Sequence, residues 1–399
     1  MRNFRYTLED LKNKSEQKLF TYATTFAGGG GSSCGYKLSG GDCKFMNEFQ
    51  EVACDTYIQN FPGTPYLCKD IKKMSSEEVM ITGNFKPREL DIFDGSPPCP
   101  PFSMSGIKQK GWNKTQMKYG HKQTNIEDLT WEIIRLCKDI QPKVIVCENV
   151  KGLTMSYAID HLNKMVKDFE SIGYTTTYKV MSGVNYGVPQ KRQRVFIVSI
   201  RNDVLEDVGL NFMTINNVFP EPIDEDLSIR TAIADLQDNE FNKQEAEELR
   251  EYMKKTSKYK WLVKLPKNPN RVMSVGDDVV TPHYQELYEK GEIKKEEIKN
   301  SFFQSRRVPW NQASHTLLET GLQPSVAAHL HPGEDRVFTT KEAGRLMTLP
   351  DDFILTGKLG QRLARIGLMV APLQMHYLSK SIYSNVLKPY KEKHNDTNH

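Results

Sequence analysis

The sequence predicts an α/β fold, with a mostly parallel sheet covered by helices on both faces and a second, smaller domain. Two observations predict it. Short apolar runs alternate with amphipathic helical patterns through the first 200 residues, and the periodicity weakens after about residue 200. Alternation of strands and helices is typical of parallel sheets with two helical faces. Ligands bind such sheets at the carboxyl ends of the strands, so we expect a functional site there.

The individual elements follow from periodicity and turn residues. Strands are predicted at 21–26, 91–95, 143–147 and 194–200. Helices are predicted where apolar residues recur every three or four positions, at 126–140, 158–172 and 243–255. Regular structure is expected again at 339–353 and 365–383, and the last twelve residues, 388–399, are expected to form a loose tail.

The change in character along the chain predicts three parts. Residues 1–200 are expected to form the first domain, and residues 201–361 are expected to form the second. Residues 362–399 return to the first domain as a C-terminal segment.

Composition limits the class of protein. The net charge is only +4, which permits a nucleic-acid partner without requiring one. No apolar run has the length of a membrane span, and the charged N-terminus does not resemble a secretory signal. The seven cysteines, from Cys34 to Cys147, are odd in number and contain no C-x-x-C pair. This favours buried thiols in a reducing cytoplasm over a disulfide framework or a metal site.

A glycine-rich loop, "FAGGGG" (26–31), follows the first predicted strand. Glu48 stands 20 positions after Gly28, the distance at which dinucleotide-binding proteins carry an acid for ribose hydroxyls. Phe49, beside it, can pack on an adenine ring. A flexible turn is the alternative, but strand, loop and acid together favour an adenosine-containing ligand.

A stiff loop, "GSPPCPPFSMSG" (95–106), places Cys99 between two pairs of prolines. Proline fixes its own φ and restricts the residue before it, so the loop is extended. The thiol directly follows a strand, which favours a nucleophilic thiolate over a buried structural cysteine. The next residues, 105–125, contain no Asp or Glu. Their basic and aromatic side chains are candidate DNA contacts, including Lys108, Lys110, Trp112 and Lys114.

Two further polar groups flank strands. Glu148 ends the apolar strand 143–147, where partial desolvation would suit a group that shares a proton; a loop or capping carboxylate is an equal alternative. Arg192 and Arg194 alternate just before the strand 194–200 and can point the same way to clamp an anionic or carbonyl-bearing substrate. Solvated surface arginines are the alternative there.

Together these motifs resemble the cytosine-C5 DNA methyltransferases over roughly residues 20–200 and 335–385. "FAGGGG" resembles the family's first S-adenosylmethionine loop, "NEF" its ribose and adenine contact, and "PPCPPFS" its catalytic motif. The segments "KDI", "ENV", "GVPQKRQR", "RVFTTKEAGRLMTLPDDF" and "IGLMVAP" follow the family's order.

The resemblance implies a Rossmann-like methyltransferase domain, duplex DNA as substrate, and a cytosine flipped out of the helix. It implies that residues 1–200 are the catalytic and cofactor-binding domain and that residues 201–361 are the target-recognition domain with a hinge. Cys99 would attack C6, Glu148 would bind the N3 edge and the exocyclic amine, and Arg192 and Arg194 would hold the nucleotide. The implied S-adenosylmethionine contacts are Phe26, Gly28, Gly30, Glu48, Phe49, Asp70, Ile71, Pro98, Leu129, Leu368, Met369 and Val370. The candidate DNA contacts also include Ser103, Gln190, Lys258, Lys260, Arg306 and Arg307. No metal is implied.

Two positions depart from the family pattern. Pro100 follows the nucleophile where the family commonly has Gln, which puts contacts with the flipped base or its gap in doubt. Leu368 stands where the family has an asparagine near the cofactor, so we expect weaker or altered cofactor binding.

Other functions remain as alternatives. An RNA methyltransferase of the branch that modifies transfer RNA shares these motifs, but it carries a Cys-Phe-Thr element in its middle region, and this chain has no cysteine after Cys147. A catalytically dead DNA-binding relative is disfavoured by the intact Cys99, Glu148, Arg192 and Arg194. We expect a cytoplasmic monomer with no membrane partner. The sequence leaves open the recognised bases, a cognate restriction endonuclease, and a cellular or viral origin.

Overall fold

The fold is organised around one large sheet. The computed structural model describes residues 5–97, 116–118, 121–123, 129–225, 227–256, 259–263, 265–274, 289–291, 305–324 and 328–395. The strands are β1 (Phe20–Thr25), β2 (Gly41–Glu48), β3 (Tyr66–Cys68), β4 (Ile92–Gly95), β5 (Gln116–Lys118), β6 (His121–Gln123), β7 (Val144–Val150), β8 (Tyr174–Ser182), β9 (Gln193–Arg201), β10 (Met273–Ser274), β11 (Arg306–Arg307) and β12 (His329–Leu330).

The large sheet has seven strands in the order β3-β2-β1-β4-β7-β9-β8. The pairs from β3 to β7 are parallel, whereas β9 runs antiparallel to both β7 and β8. The predicted mostly parallel sheet is therefore confirmed. The direction of β9 was not predicted, because β8 and β9 are joined without a crossover helix and the alternation rule does not apply there.

Helices follow most of the strands. They are α1 (Leu8–Ser15), α2 (Gly31–Leu38), α3 (Glu51–Asn60), α4 (Ser76–Gly83), α5 (Leu129–Ile140), α6 (Ile159–Ser171), α7 (Asn202–Asp207), α8 (Ile229–Ile233), α9 (Glu240–Lys254), α10 (Tyr259–Leu262), α11 (Thr340–Leu346), α12 (Leu359–Leu368), α13 (Pro372–Ile382) and α14 (Lys388–Asn395). The three helices predicted from apolar spacing correspond to α5, α6 and α9.

Both faces of the sheet are covered, because successive side chains of each strand point to opposite faces. On one face Tyr22 and Val146 pack in the same cluster as Met375 of α13. On the other face Phe93 packs with Ile133 of α5. Burial on both faces explains the continuous apolar run at the start of β7, Val144 to Cys147.

The rest of the chain forms smaller units. β10, β11 and β12 make a three-stranded sheet, and β5 pairs with β6 in an antiparallel ribbon. α11 begins with a capping box between Thr339 and Glu342. Leu346 of α11 packs with Leu363 and Ile366 of α12. The predicted domain boundary after residue 361 falls inside α12, which is Leu359–Leu368. The division into domains stays a prediction.

Two expectations are wrong. Cys54 of α3 and Cys68 of β3 form a disulfide. Since α3 follows β2 in the chain and β3 pairs with β2, the two Cα atoms lie 6.3 Å apart. The four other cysteines of the described part of the chain, Cys34, Cys43, Cys137 and Cys147, are buried thiols, as expected.

The C-terminal residues up to 395 form helix α14 instead of a loose tail. Lys391 anchors this helix, since its Nζ lies 2.7 Å from Asp91 Oδ2. Near its end, Lys393 Nζ lies 2.7 Å from Asp207 Oδ1. In the part of the chain that the structure describes, no helix is long and apolar enough to cross a membrane.

Candidate active site

The candidate site lies at the carboxyl edge of the sheet, where β1, β4 and β7 end side by side. Gly95, the last residue of β4, is paired with Cys147 of β7. β9 begins at the same edge, with Arg194 opposite Val150. The chain leaves β4 here toward Cys99; Pro98 and Cys99 lie outside the described residues.

Glu148 and Arg194 form an ion pair at this edge. Arg194 Nε lies 3.0 Å from Glu148 Oε1, and both side chains are largely buried. Burial lowers the pKa of Arg194, and the neighbouring Glu148 carboxylate opposes that shift. The two strands thus present one carboxyl and one guanidinium as a fixed pair beside the start of the proline loop.

A second carboxyl, Asp94, lies behind this pair and was not singled out from the sequence. It is buried near the end of β4, where Thr24 Oγ1 donates to Oδ2 at 2.8 Å and the Tyr36 hydroxyl donates to Oδ1 at 3.1 Å. Burial, with a smaller contribution from the charge of Glu148, raises the pKa of Asp94 to about 7 against the opposing effect of these hydrogen bonds. The second acid of the segment "DIFDG", placed after two apolar residues at the end of a predicted strand, is the signal that could have revealed it.

The glycine loop and Glu48 are joined by backbone hydrogen bonds. The Gly28 N–H donates to Glu48 Oε2 at 2.7 Å, and the N–H groups of Phe49 and Gln50 donate to Oε1. Burial raises the pKa of Glu48, and these hydrogen bonds, with the charge of Arg365, oppose the shift. Glu48 is therefore oriented against the loop, and its predicted contact with ribose hydroxyls stays a prediction.

The loop needs glycine for two different reasons. Gly28 and Gly30 have φ values of +54° and +101°, a region that L side chains rarely adopt. A Cβ at Gly31 would overlap the carbonyl oxygen of Val370, so the loop lies directly against the C-terminal segment. Phe26 also has a positive φ, of +54°. The structure therefore brings the first and last predicted cofactor motifs together.

The other predicted cofactor residues lie around the same loop. Phe49 is 43% exposed and Leu368 is 50% exposed, whereas Met369 and Val370 are buried. The Asp70 carboxylate accepts from the Lys72 N–H and caps the short helix Ile71–Lys73. Asn47, missed from the sequence, donates to the carbonyl oxygens of Leu67 and Lys69 and so holds β3 in place. Leu129 is partly buried at the start of α5.

Arg192 contacts backbone carbonyls instead of Glu148. Its guanidinium donates to the carbonyl oxygens of Leu317, Gly367 and Met369 at 3.3, 3.2 and 2.8 Å, and the side chain is 2% exposed. Burial lowers its pKa, and the charge of Arg194 adds to that effect. The structure thus makes Arg192 a clamp between the start of β9, the segment at Leu317 and the end of α12. Its contact with a flipped nucleotide stays a prediction.

Two predicted DNA contacts are buried. Gln190 accepts from the Leu317 N–H at 2.8 Å and donates to the Leu346 carbonyl at 3.2 Å. Arg307 donates to the His331 carbonyl at 2.6 Å and to Asp335 at 2.8 Å. Both side chains are 0% exposed. We correct these two predictions, because a side chain without exposed surface does not reach a duplex in this conformation.

Of the remaining candidate DNA contacts, only Arg306 lies among the residues whose side chains the structure describes. Arg306 is half-buried. Burial lowers the pKa of His315 to about 4, and the charge of Arg306 contributes to that shift. The side chains of the following candidates lie outside the described residues: Ser103, Lys108, Lys110, Trp112, Lys114, Lys258 and Lys260.

Comparison with known proteins gives the family. Residues 20–384 match the family model described as C-5 cytosine-specific DNA methylase. The chain is 27% identical to the Type II methyltransferase M.Eco47II of Escherichia coli, over 89% of this chain and 77% of that protein. It is 28% identical to the Type II methyltransferase M.NgoFVII of Neisseria gonorrhoeae, over 90% of this chain and 84% of that protein.

Solved structures share the fold. A proposed DNA modification methyltransferase encoded within an E. coli prophage has a TM-score of 0.61 at 20% identity, over 92% of this chain and 99% of that chain. A DNMT2 variant of Spodoptera frugiperda has a TM-score of 0.53 at 16% identity, over 93% of this chain and 99% of that one. The family match extends over nearly the whole chain and includes every element of the candidate site, so this protein belongs to the C-5 cytosine-specific DNA methylase family.

Proposed function

We propose that the chain extrudes a target cytosine from duplex DNA and transfers a methyl group from S-adenosylmethionine to its C5, within a specific short sequence. The observation that carries this proposal is the buried Glu148–Arg194 pair, 3.0 Å apart, at the edge where β4 leads toward Cys99. Family membership supports the reaction, and the arrangement supplies the acid and cation that this reaction needs beside a nucleophile.

Each residue has a defined role in the proposed reaction. The Cys99 thiolate forms a bond to C6, which moves an electron pair of the ring toward C5 and makes that carbon nucleophilic. Glu148 binds the N3 edge and the exocyclic amine and holds the proton that neutralises the activated ring. Arg194 keeps Glu148 in one orientation. Once C5 carries the methyl group, loss of its proton to water forms the C5–C6 double bond again, breaks the bond between sulfur and C6, and releases the Cys99 thiolate.

The residues around the glycine loop fit S-adenosylmethionine. A Cβ built at Gly28 would meet no atom within 4 Å, so the loop faces open space at that point. Glu48 lies beside this space, and a carboxylate oxygen that accepts one backbone N–H retains a further lone pair for a ribose hydroxyl. Phe49, Asp70 and Ile71 would enclose the adenine. When bound, the cofactor supplies an electrophilic methyl group.

The relatives and the chain's organisation support further parts of the proposal. Because several similar proteins are Type II methyltransferases, we infer a modification enzyme of a restriction-modification system. We keep the assignment of residues 1–200 to catalysis and cofactor binding and of residues 201–361 to target recognition, with 362–399 returning to the first part. The C-terminal helices α13 and α14 support the last assignment, because Met375 of α13 and Tyr390 of α14 belong to the same apolar cluster as Phe20 of β1.

A covalent trapping assay tests the proposal. Duplex DNA and transfer RNA that contain 5-fluorocytosine are each incubated with the protein and S-adenosylmethionine. Fluorine at C5 cannot leave as a proton, so we expect a stable adduct on DNA that Cys99→Ala abolishes. Cys147→Ala is the matched control, since Cys147 is a buried thiol and its loss should leave the adduct in place. An adduct on RNA alone, or none with wild type, would overturn the proposal.

A further inference from the structure

We infer that Asp94, in its neutral form, is a positioning residue of this active site that holds helix α2 against the strand leading to Cys99. The inference rests on the proposed function for its catalytic meaning, but the contacts that carry it belong to the structure alone.

The placement of Asp94 joins the two sides of the site. It stands at the end of β4, five residues before Cys99. The Tyr36 hydroxyl that contacts it belongs to α2, the helix that begins at the glycine loop. The Thr24 hydroxyl belongs to β1, the strand that enters that loop. A single carboxyl thus links the elements that would carry cofactor and nucleophile.

The groups that face this carboxyl do not include a paired cation among the described residues. From α2 it meets the hydroxyls of Tyr36 and Ser32, and from β1 the hydroxyl of Thr24. From β7 it meets the charge of Glu148, which lies on the same face because Asp94 is paired with Val146. The thiol of Cys147 is also close enough to interact electrostatically. Glu148 in turn has its own partner, Arg194.

These surroundings favour the protonated form. Hydroxyl donors stabilise an anion only in part, whereas burial and a neighbouring carboxylate both penalise it. A neutral carboxyl keeps one oxygen as an acceptor and gains an O–H that donates, so it still exchanges hydrogen bonds with both α2 and β1. An ionised Asp94 accepts from the same hydroxyls, but it places a second negative charge close to Glu148. We therefore expect ionisation of Asp94 to slow the reaction.

The test compares the pH dependence of single-turnover methylation for wild type and Asp94→Asn. The amide keeps one donor and one acceptor but cannot ionise. We expect similar rates at pH 6 and a rate for the variant at least threefold above wild type at pH 9. A ratio that stays constant with pH would overturn the inference, because a merely structural substitution changes the rate by the same factor throughout.

A second variant guards against a folding defect in the first. Tyr36→Phe removes a donor to the anion, so it should raise the pH at which the wild-type rate declines. Tyr22→Phe is the matched control: its ring stacks on Tyr36 at 4.7 Å, but the hydrogen bonds from Thr24 and Tyr36 to Asp94 are unchanged. If the pH at which the rate declines shifts equally in both variants, the shift does not come from the hydrogen bond to Asp94, and the inference is overturned.

Infrared difference spectroscopy separates this inference from the proposed function. A protonated carboxyl band that disappears as wild type is titrated through neutral pH, and is absent in Asp94→Asn, supports the inference even without methylation. If wild type methylates DNA but the band does not titrate, Asp94 does not have this role and the proposed function still stands. If wild type methylates no DNA at any pH while the band titrates, the proposed function fails instead.

Discussion

The two ends of β4 carry two buried carboxyls with opposite surroundings. Asp91, at the amino end, lies 2.9 Å from Lys143 Nζ and 2.7 Å from Lys391 Nζ. Burial raises the pKa of Asp91, but the two lysines outweigh burial and hold that pKa below its ordinary value. Asp94, at the carboxyl end, is held by hydroxyls, and its pKa is raised to about 7.

This difference separates what stabilises the sheet from what supports its chemistry. A paired carboxylate stays ionised over the physiological range and ties β4 to α14 through Lys391. A carboxyl without such pairing can change its proton near neutral pH, and it stands at the edge where ligands bind open α/β sheets. The amino edge therefore serves stability, and the carboxyl edge serves function.

The largest expected effect is on the methylation rate when a carboxyl at either edge of the sheet is replaced by an amide. Glu148→Gln removes the proton that Glu148 holds on the substrate ring, so the methylation rate should fall roughly 10²- to 10⁴-fold. Asp91→Asn, the matched carboxyl at the other edge, should leave the rate nearly unchanged. Single-turnover assays well below the melting temperature measure both. Similar losses in the two variants would contradict the functional division of the sheet.

Stability should show the reverse order. Asp91→Asn leaves Lys143 and Lys391 without their anion at a largely buried position, and we expect the free energy of unfolding to fall by roughly 3 kcal/mol at pH 7. Denaturant titration measures it. Because the folded-state pKa of Asp91 is lowered, its contribution is present above about pH 4 and is lost as the pH falls through that pKa. The variant should therefore differ from wild type less at pH 3 than at pH 7.

The pH dependence of stability at Asp94 should have the opposite sign. Its folded-state pKa of about 7 exceeds the unfolded value near 4, so the folded state binds more protons between these values. Wild-type stability then declines as the pH rises from about 4 to 7, and Asp94→Asn lacks this decline. Relative to wild type, we expect the variant to gain about 3 kcal/mol between pH 4.5 and pH 8. An equal difference at both pH values would contradict the raised pKa.

Sequence reasoning located the carboxyl edge because strands, glycines and prolines are local signals. The loop at Gly28 and the acid Glu48 were predicted from their spacing, and the structure joins them by a hydrogen bond. Arg194 and Glu148 were both predicted, although their pairing depends on the antiparallel register of β9. Their catalytic roles stay predictions.

What sequence reasoning missed depends on contacts between distant parts of the chain. Arg192 and Gln190 resemble surface residues locally, yet both are buried against segments more than 120 residues away. Asp94 acquires its raised pKa only from the packing of β1, α2 and β7 around it. The Cys54–Cys68 disulfide likewise required the position of β3 beside β2.

The smallest expected effect concerns the cofactor side of the carboxyl edge. Leu368 is 50% exposed at the end of α12, next to the segment that covers the glycine loop, and it replaces the family's asparagine. An amide there would add one hydrogen bond, worth about 1 kcal/mol, so Leu368→Asn should tighten S-adenosylmethionine binding about fivefold in a calorimetric titration. Leu368→Ala is the matched control, because it removes the leucine without adding a donor. If both variants bind the cofactor equally well, the missing amide does not limit affinity.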